Sequence, residues 1–300
     1  MKAPDYWKTH YVVGSRPEQI ARSLKSTSFV SQAQSFELTF FESDKSAPNI
    51  LISQGSGGHA FVFAELGYCL YQKGYNVFIM PKHGGFTINE LALRHFDALR
   101  HISTSFNERI GIFSEGLGGF VAFYVALASG PLKSVICQNS PALLTEEEFK
   151  DAVIRSGQRA TLPLLNFLSK VTPQLRVPIS LYLNWKGLID SNDPNRRVET
   201  QLVNGYLKDP DFDRWYPVAA VASLLSTPPP RPLSELTTPT MFMVSQRGFG
   251  GDPYVHYLKD LYDRLAVQKQ WTMVDGSVYW MLSHSHEAAE IICDWFSRTL

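Results

Sequence analysis

RIGIFSEGLGGFVAF, residues 109–123, is the stretch whose reading decides the fold. Its first half, Arg109 to Ser114, is a short apolar run of the kind that forms a strand buried on both faces of a sheet. Its second half continues as GGFVAFYVALASG with little polarity, so the helix that begins near Leu117 must lie against that sheet. Between the two halves, Ser114-Glu115-Gly116-Leu117-Gly118-Gly119 turns the chain sharply. A turn this tight needs small neighbours, and the helix it opens presents free backbone N–H groups above the sheet.

The same rhythm extends outward from this junction. NILISQ (49–54), YNVFIMP (75–81), RIGIFS (109–114) and LKSVICQN (132–139) are continuous enough for buried parallel strands, and FELTFFES (36–43) alternates like an early antiparallel one. Helices are expected between them. One runs from Phe61 to Lys73, and another opens at Thr87 with a Thr-x-x-Glu capping box to Glu90, its residues Ile88, Leu91, His95, Leu99 and Ile102 on one stripe. From Thr145 to about Thr227 the alternation stops. A second capping box (Thr145, Glu148) opens helical segments that end in the proline run after Ser226, which reads as a helical insertion. The α/β pattern then returns with TMFMVS (240–245), a helix over 253–266, QWTMVDGS (270–277) and a last helix from about His286 to Arg298. The expected organisation is a core of residues 1–142 and 228–300, with 143–227 as an inserted helical cap.

Composition agrees with one large domain carrying an insertion: 300 residues, 44% hydrophobic and 19% charged, enough apolar surface to exclude disorder. The 28 basic and 28 acidic residues cancel, which removes the electrostatic footprint of a nucleic-acid binder. The N-terminal residues lack the apolar run of a signal peptide, and later apolar stretches are short or interrupted, so no membrane association and a cytoplasmic location are expected. Cys69, Cys137 and Cys293 lie far apart in apolar contexts and suggest neither a zinc site nor disulfides.

The strand, glycine-rich turn and helix at 109–123 resemble the nucleophile elbow of the α/β-hydrolase superfamily. The segment QGSGGHAFVFAELGYCLYQKGYNVFIMPKHGG (54–85) is similar to that superfamily's HG-x-x-G loop with its following helix and strand, with Gln54 where His is common. The resemblance implies an α/β-hydrolase fold: a mostly parallel central sheet flanked by helices, with an inserted helical cap. It also implies an oxyanion hole from backbone amides near Gly55, Ser56 and Leu117.

The departures fall where the chemistry of such proteins takes place. In Gly-x-Ser-x-Gly the middle residue attacks the substrate; here that position is Gly116, in Ser-Glu-Gly-Leu-Gly. A register placing Ser114 as nucleophile gives a different spacing and leaves it inside the strand. The acid position has only Asp252 nearby, which could instead cap the helix beginning at Pro253. Ser277 or Val278 falls where the resemblance implies the histidine; His284 and His286 lie a few residues on, with Asp252 or Asp275 as orienting carboxylates. His83, in the loop after a strand, is expected at the pocket rim. Glu115, beside the elbow, becomes a candidate base if it is desolvated.

Two functional classes remain open on these residues. One is an enzyme acting on a small apolar ester, thioester, lactone or related carbonyl compound through a non-standard site drawn from Ser114, Glu115, Gly116, Asp252, His284 and His83. The other is a catalytically inactive member that binds a small apolar ligand or docks a protein partner. Tyr182, Trp185, Trp215 and Tyr216 are candidate aromatic walls. No dinucleotide or P-loop fingerprint occurs, so no cofactor is expected.

Overall fold

The computed structural model describes residues 14–128, 130–153, 161–178, 208–246 and 252–300, together with residues 7, 12, 200, 201, 204 and 205. Its strands are β1 (Leu24–Ser31), β2 (Gln34–Phe41), β3 (Asn49–Ser53), β4 (Asn76–Ile79), β5 (Ile110–Glu115), β6 (Ser134–Gln138), β7 (Arg176–Pro178), β8 (Trp215–Pro217), β9 (Thr240–Ser245) and β10 (Lys269–Val274). Eight of them form one sheet in the order β1-β2-β4-β3-β5-β6-β9-β10. Within this sheet the pairings β4-β3-β5-β6-β9-β10 are all parallel, while β1, β2 and β4 are joined antiparallel.

The central strands are apolar on both faces because each face is covered by helices. One face packs against the helices Ile88–Ser105, Leu117–Leu127 and Asp252–Arg264, burying Leu51, Ile112, Val135 and Phe242. The other packs against Ala64–Gln72 and Ser285–Thr299, burying Ile50, Phe113, Ile136 and Met241. The helix Ile88–Ser105 starts at the expected capping box, with Thr87 and Glu90 each bonding the other's backbone N–H.

Three sequence expectations need correction. The sheet begins one strand earlier than FELTFFES, because the largely polar β1 pairs with β2 along its whole length, through a hairpin whose turn residues Gln32 and Ala33 both have positive φ. The Thr145 capping box does not form: the helix begins at Glu147, and Lys150 N–H bonds the Glu146 carbonyl, so Glu146 takes the cap position. Residues 143–227 are not wholly helical, because β7 and β8 form an antiparallel ribbon between the helices Leu162–Val171 and Val218–Ser223. No helix among the described residues is long and apolar enough to cross a membrane.

Candidate active site

The C-terminal ends of β3, β4, β5, β6, β9 and β10 share one edge of the sheet, the edge at which open α/β sheets bind their ligands. At its centre, β5 ends at Glu115 and the helix Leu117–Leu127 begins two residues later, with Gly116 between them at φ 54°, ψ −126°. Residues with a Cβ pay about 1–3 kcal/mol for such a backbone, and glycine holds it without that strain. A Cβ on Gly116 would lie 3.1 Å from Gly55 Cα and 3.9 Å from Ser56 N. The elbow therefore faces the loop after β3, but no side chain projects from it.

Glu115 fills part of that space. Its carboxyl group lies against Gly55, whose backbone N–H donates to it, and a Cβ on Gly55 would run into the carboxylate. Burial is the larger influence and pushes the Glu115 pKa up to about 7, with the Gly55 hydrogen bond opposing it. A carboxyl ionising near neutrality, beside the free N–H groups that open a helix, has the properties of a general acid–base.

Ser114 and Gly116 settle differently in the fold. Ser114 is completely buried inside β5 and its Oγ donates to the Ile136 carbonyl at 2.8 Å, so its hydroxyl is committed to the sheet. At the ends of β9 and β10, Ser245 and Ser277 form a neutral network: Asn139 Nδ2 donates to Ser245 Oγ (2.8 Å), which donates to the Ser277 carbonyl (2.8 Å). Asn139 also accepts the Ser245 N–H and holds a positive φ of 56°. Asp252 opens the helix Asp252–Arg264, and its side chain lies outside the described residues. Asp275 and His286 are exposed.

His284 stacks on Trp280 with ring centroids 5.6 Å apart, and its Nδ1 lies 2.8 Å from Ser283 Oγ. It lines a surface cleft with Gly14, Glu65 and His286, none of which belongs to the elbow or its facing loop. His83, expected at the pocket rim, is instead buried, and it belongs to a cluster the sequence did not signal. Ser53 Oγ lies 2.7 Å from His95 Nε2 and 3.4 Å from His83 Nε2, and His95 Nδ1 lies 2.8 Å from the Leu91 carbonyl. The Leu91 carbonyl fixes the proton on Nδ1, so Nε2 is the acceptor for the Ser53 hydroxyl. Burial holds His95 at about 4 and pushes His83 well below the ordinary range, so both rings are neutral.

The facing loop is covered by residues 209–216. Gly57 N–H donates to Tyr216 Oη (2.6 Å), Phe212 lies against Gly57, and His59 Nε2 meets Asp209 Oδ2 at 2.7 Å with both side chains buried. Of the four aromatic residues expected as candidate walls, Tyr216 is buried on the loop, Trp215 is exposed, and Tyr182 and Trp185 lie outside the described residues. The His59–Asp209 pair spans 150 residues of sequence, and no local pattern announces it.

No family model matches the chain, and none of the curated proteins compared with it matches either. Solved structures do. A monoacylglycerol lipase of Paleococcus ferrophilus is 16% identical with a TM-score of 0.67, covering 92% of this chain and 99% of its own. The alpha/beta hydrolase GrgF from Penicillium sp. sh18 is 13% identical with a TM-score of 0.69, covering 92% and 98%. A thermostable carboxyl esterase from Bacillus coagulans is 12% identical with a TM-score of 0.67, covering 92% and 99%. The chain has the α/β-hydrolase fold.

Proposed function

We propose that this protein is a hydrolase-like enzyme acting on a small apolar ester, thioester, lactone or related carbonyl compound, with Glu115 in place of the missing nucleophile as general base. The observation that carries this reading is the elbow itself: Gly116 keeps a backbone without a side chain at φ 54°, and the neighbouring Glu115, its carboxyl against Gly55, has its pKa pushed up to about 7 by burial. The N–H groups of Ser56 and Leu117 would receive the developing oxyanion. Residues 143–227 would act as a cap over a core of 1–142 and 228–300; the bonds from Asp209 and Tyr216 to the loop after β3 support that division. His83, buried against Ser53 and His95, would have no part in the step. Asp252 and His284 would have no part in the step. A cytoplasmic location goes with this reading.

Gly116 at the place where the resemblance implies the nucleophile and Ser277 or Val278 at the place where it implies the histidine, all without a titratable side chain, favour a second reading, a pocket that binds a small apolar ligand without turning it over. Turnover of a panel of short- and medium-chain aryl esters separates the two. The wild-type protein should exceed the buffer rate, and a Ser114→Ala, His284→Ala double variant should keep that rate within about threefold, on the order of 0.7 kcal/mol of barrier. Buffer-level rates on every ester would leave the binding reading, and a rate abolished in the double variant would return catalysis to Ser114 or His284.

A further inference from the structure

Three polar side chains line one face of the sheet at its C-terminal edge. Phe113 on β5 and Ile136 on β6 face the helices Ala64–Gln72 and Ser285–Thr299, so Glu115 and Gln138, two residues further along each strand, face the same way. Ile50 and Ile52 place Gln54 on that face as well. Glu115 and Gln138 are register partners, and the pairing of Ser53 with Ser114 sets Gln54 beside Glu115 on the other side. The row therefore reads Gln54, Glu115, Gln138 across three adjacent strands.

Its hydrogen bonding is incomplete. Gln54 Nε2 donates to the Met80 carbonyl at 2.9 Å, but Gln54 Oε1 has no partner among the described residues. Gln138 has none for either its oxygen or its nitrogen, although both glutamines are completely buried. An unpaired buried polar group costs about 1–3 kcal/mol, so native chains rarely leave one without an ordered water or a ligand. Here two acceptors and one amide donor stand open in a row that also contains an ionisable carboxyl. A small molecule that both donates and accepts satisfies them, and water is the smallest.

We propose that Gln54, Glu115 and Gln138 hold the water consumed by hydrolysis at this site, with Gln138 as its positioning residue; this rests on the assignment of Glu115 as base. In the step, the Glu115 carboxylate takes one water proton while the water oxygen bonds to the substrate carbonyl carbon. The carbonyl π pair moves to its oxygen, facing the Ser56 and Leu117 N–H groups. The oxyanion pair then re-forms the carbonyl as the bond to the leaving oxygen breaks, and that oxygen takes the proton from Glu115. Ester and water give acid and alcohol, and the carboxylate is restored.

The test is the titration of the Glu115 carboxyl by carbon-13 NMR, assigned by its loss in Glu115→Gln, in the wild type and in the near-isosteric Gln138→Met. Removing the water should raise the midpoint by half a pH unit or more and lower kcat about tenfold with KM within twofold. If Gln138→Met does not fold, Gln138→Asn, which withdraws the amide by one methylene, should move both readouts in the same direction. An unchanged midpoint overturns the proposal, even if kcat falls. A shifted midpoint in a protein that turns over no ester would support the water site while removing the proposed function.

Discussion

Glu115→Gln should lower ester turnover by about 10²- to 10⁴-fold, the usual contribution of a positioned general base. The wild-type rate should rise with pH through about 7, as the carboxylate forms, and then level off. The residual rate of the variant should lose that inflection. The same substitution should stabilise the fold at pH 8. Burial raises the Glu115 pKa from 4.5 to about 7, so the folded chain holds this proton more tightly than the unfolded chain, and stability is lost as pH rises from 4.5 through 7. Removing the charge at pH 8 should return up to about 3 kcal/mol, measured by urea unfolding. Losing activity while gaining stability marks a group kept for its chemistry; an ordinary buried contact would lose both.

The Ser53–His95–His83 cluster should make the protein acid-sensitive in a window set by its histidines. Burial lowers the His95 pKa from 6.5 to about 4, and the His83 pKa moves the same way. Between those values the unfolded chain binds more protons than the folded one, so stability is full above about 6.5 and falls as pH drops toward 4. His95 alone should contribute a loss of about 2 kcal/mol between pH 7 and pH 5. The buried His59, lowered chiefly by desolvation against its Asp209 partner, adds to the loss in the same direction. Urea midpoints at the two pH values check this, with His95→Gln as comparison. The variant should be less stable at pH 7 yet show a flatter pH dependence; an unaltered slope would mean that the ring titrates normally.

Much of this architecture is legible in one dimension, and the reasons differ by element. The turn at 109–123 is readable because its constraint is local: a strand, a small-residue turn and a greasy helix occur in unbroken order. The Thr87 capping box is local too, and it forms as spaced. β1 is not readable, since Leu24 to Ser31 carries too many polar residues to signal burial and its hairpin turn uses Gln32 and Ala33 in place of the Gly or Asn that marks such turns. His95 falls correctly on the buried stripe, but its periodicity says nothing of Ser53, 42 residues away, which makes it part of a polar cluster. Gln138 is the plainest omission. It ends an apolar strand and looks like the start of a loop, and only its register with Glu115 and its unpaired amide single it out.

The most direct measurement of catalysis without a nucleophilic serine is intact-protein mass spectrometry after exposure to a fluorophosphonate, followed by an aryl-ester assay of the same sample. The expected result is an unchanged mass and undiminished turnover, because Gly116 offers no hydroxyl and the Ser53 and Ser114 hydroxyls are buried in hydrogen bonds. Stoichiometric labelling of a serine with loss of turnover would contradict the account.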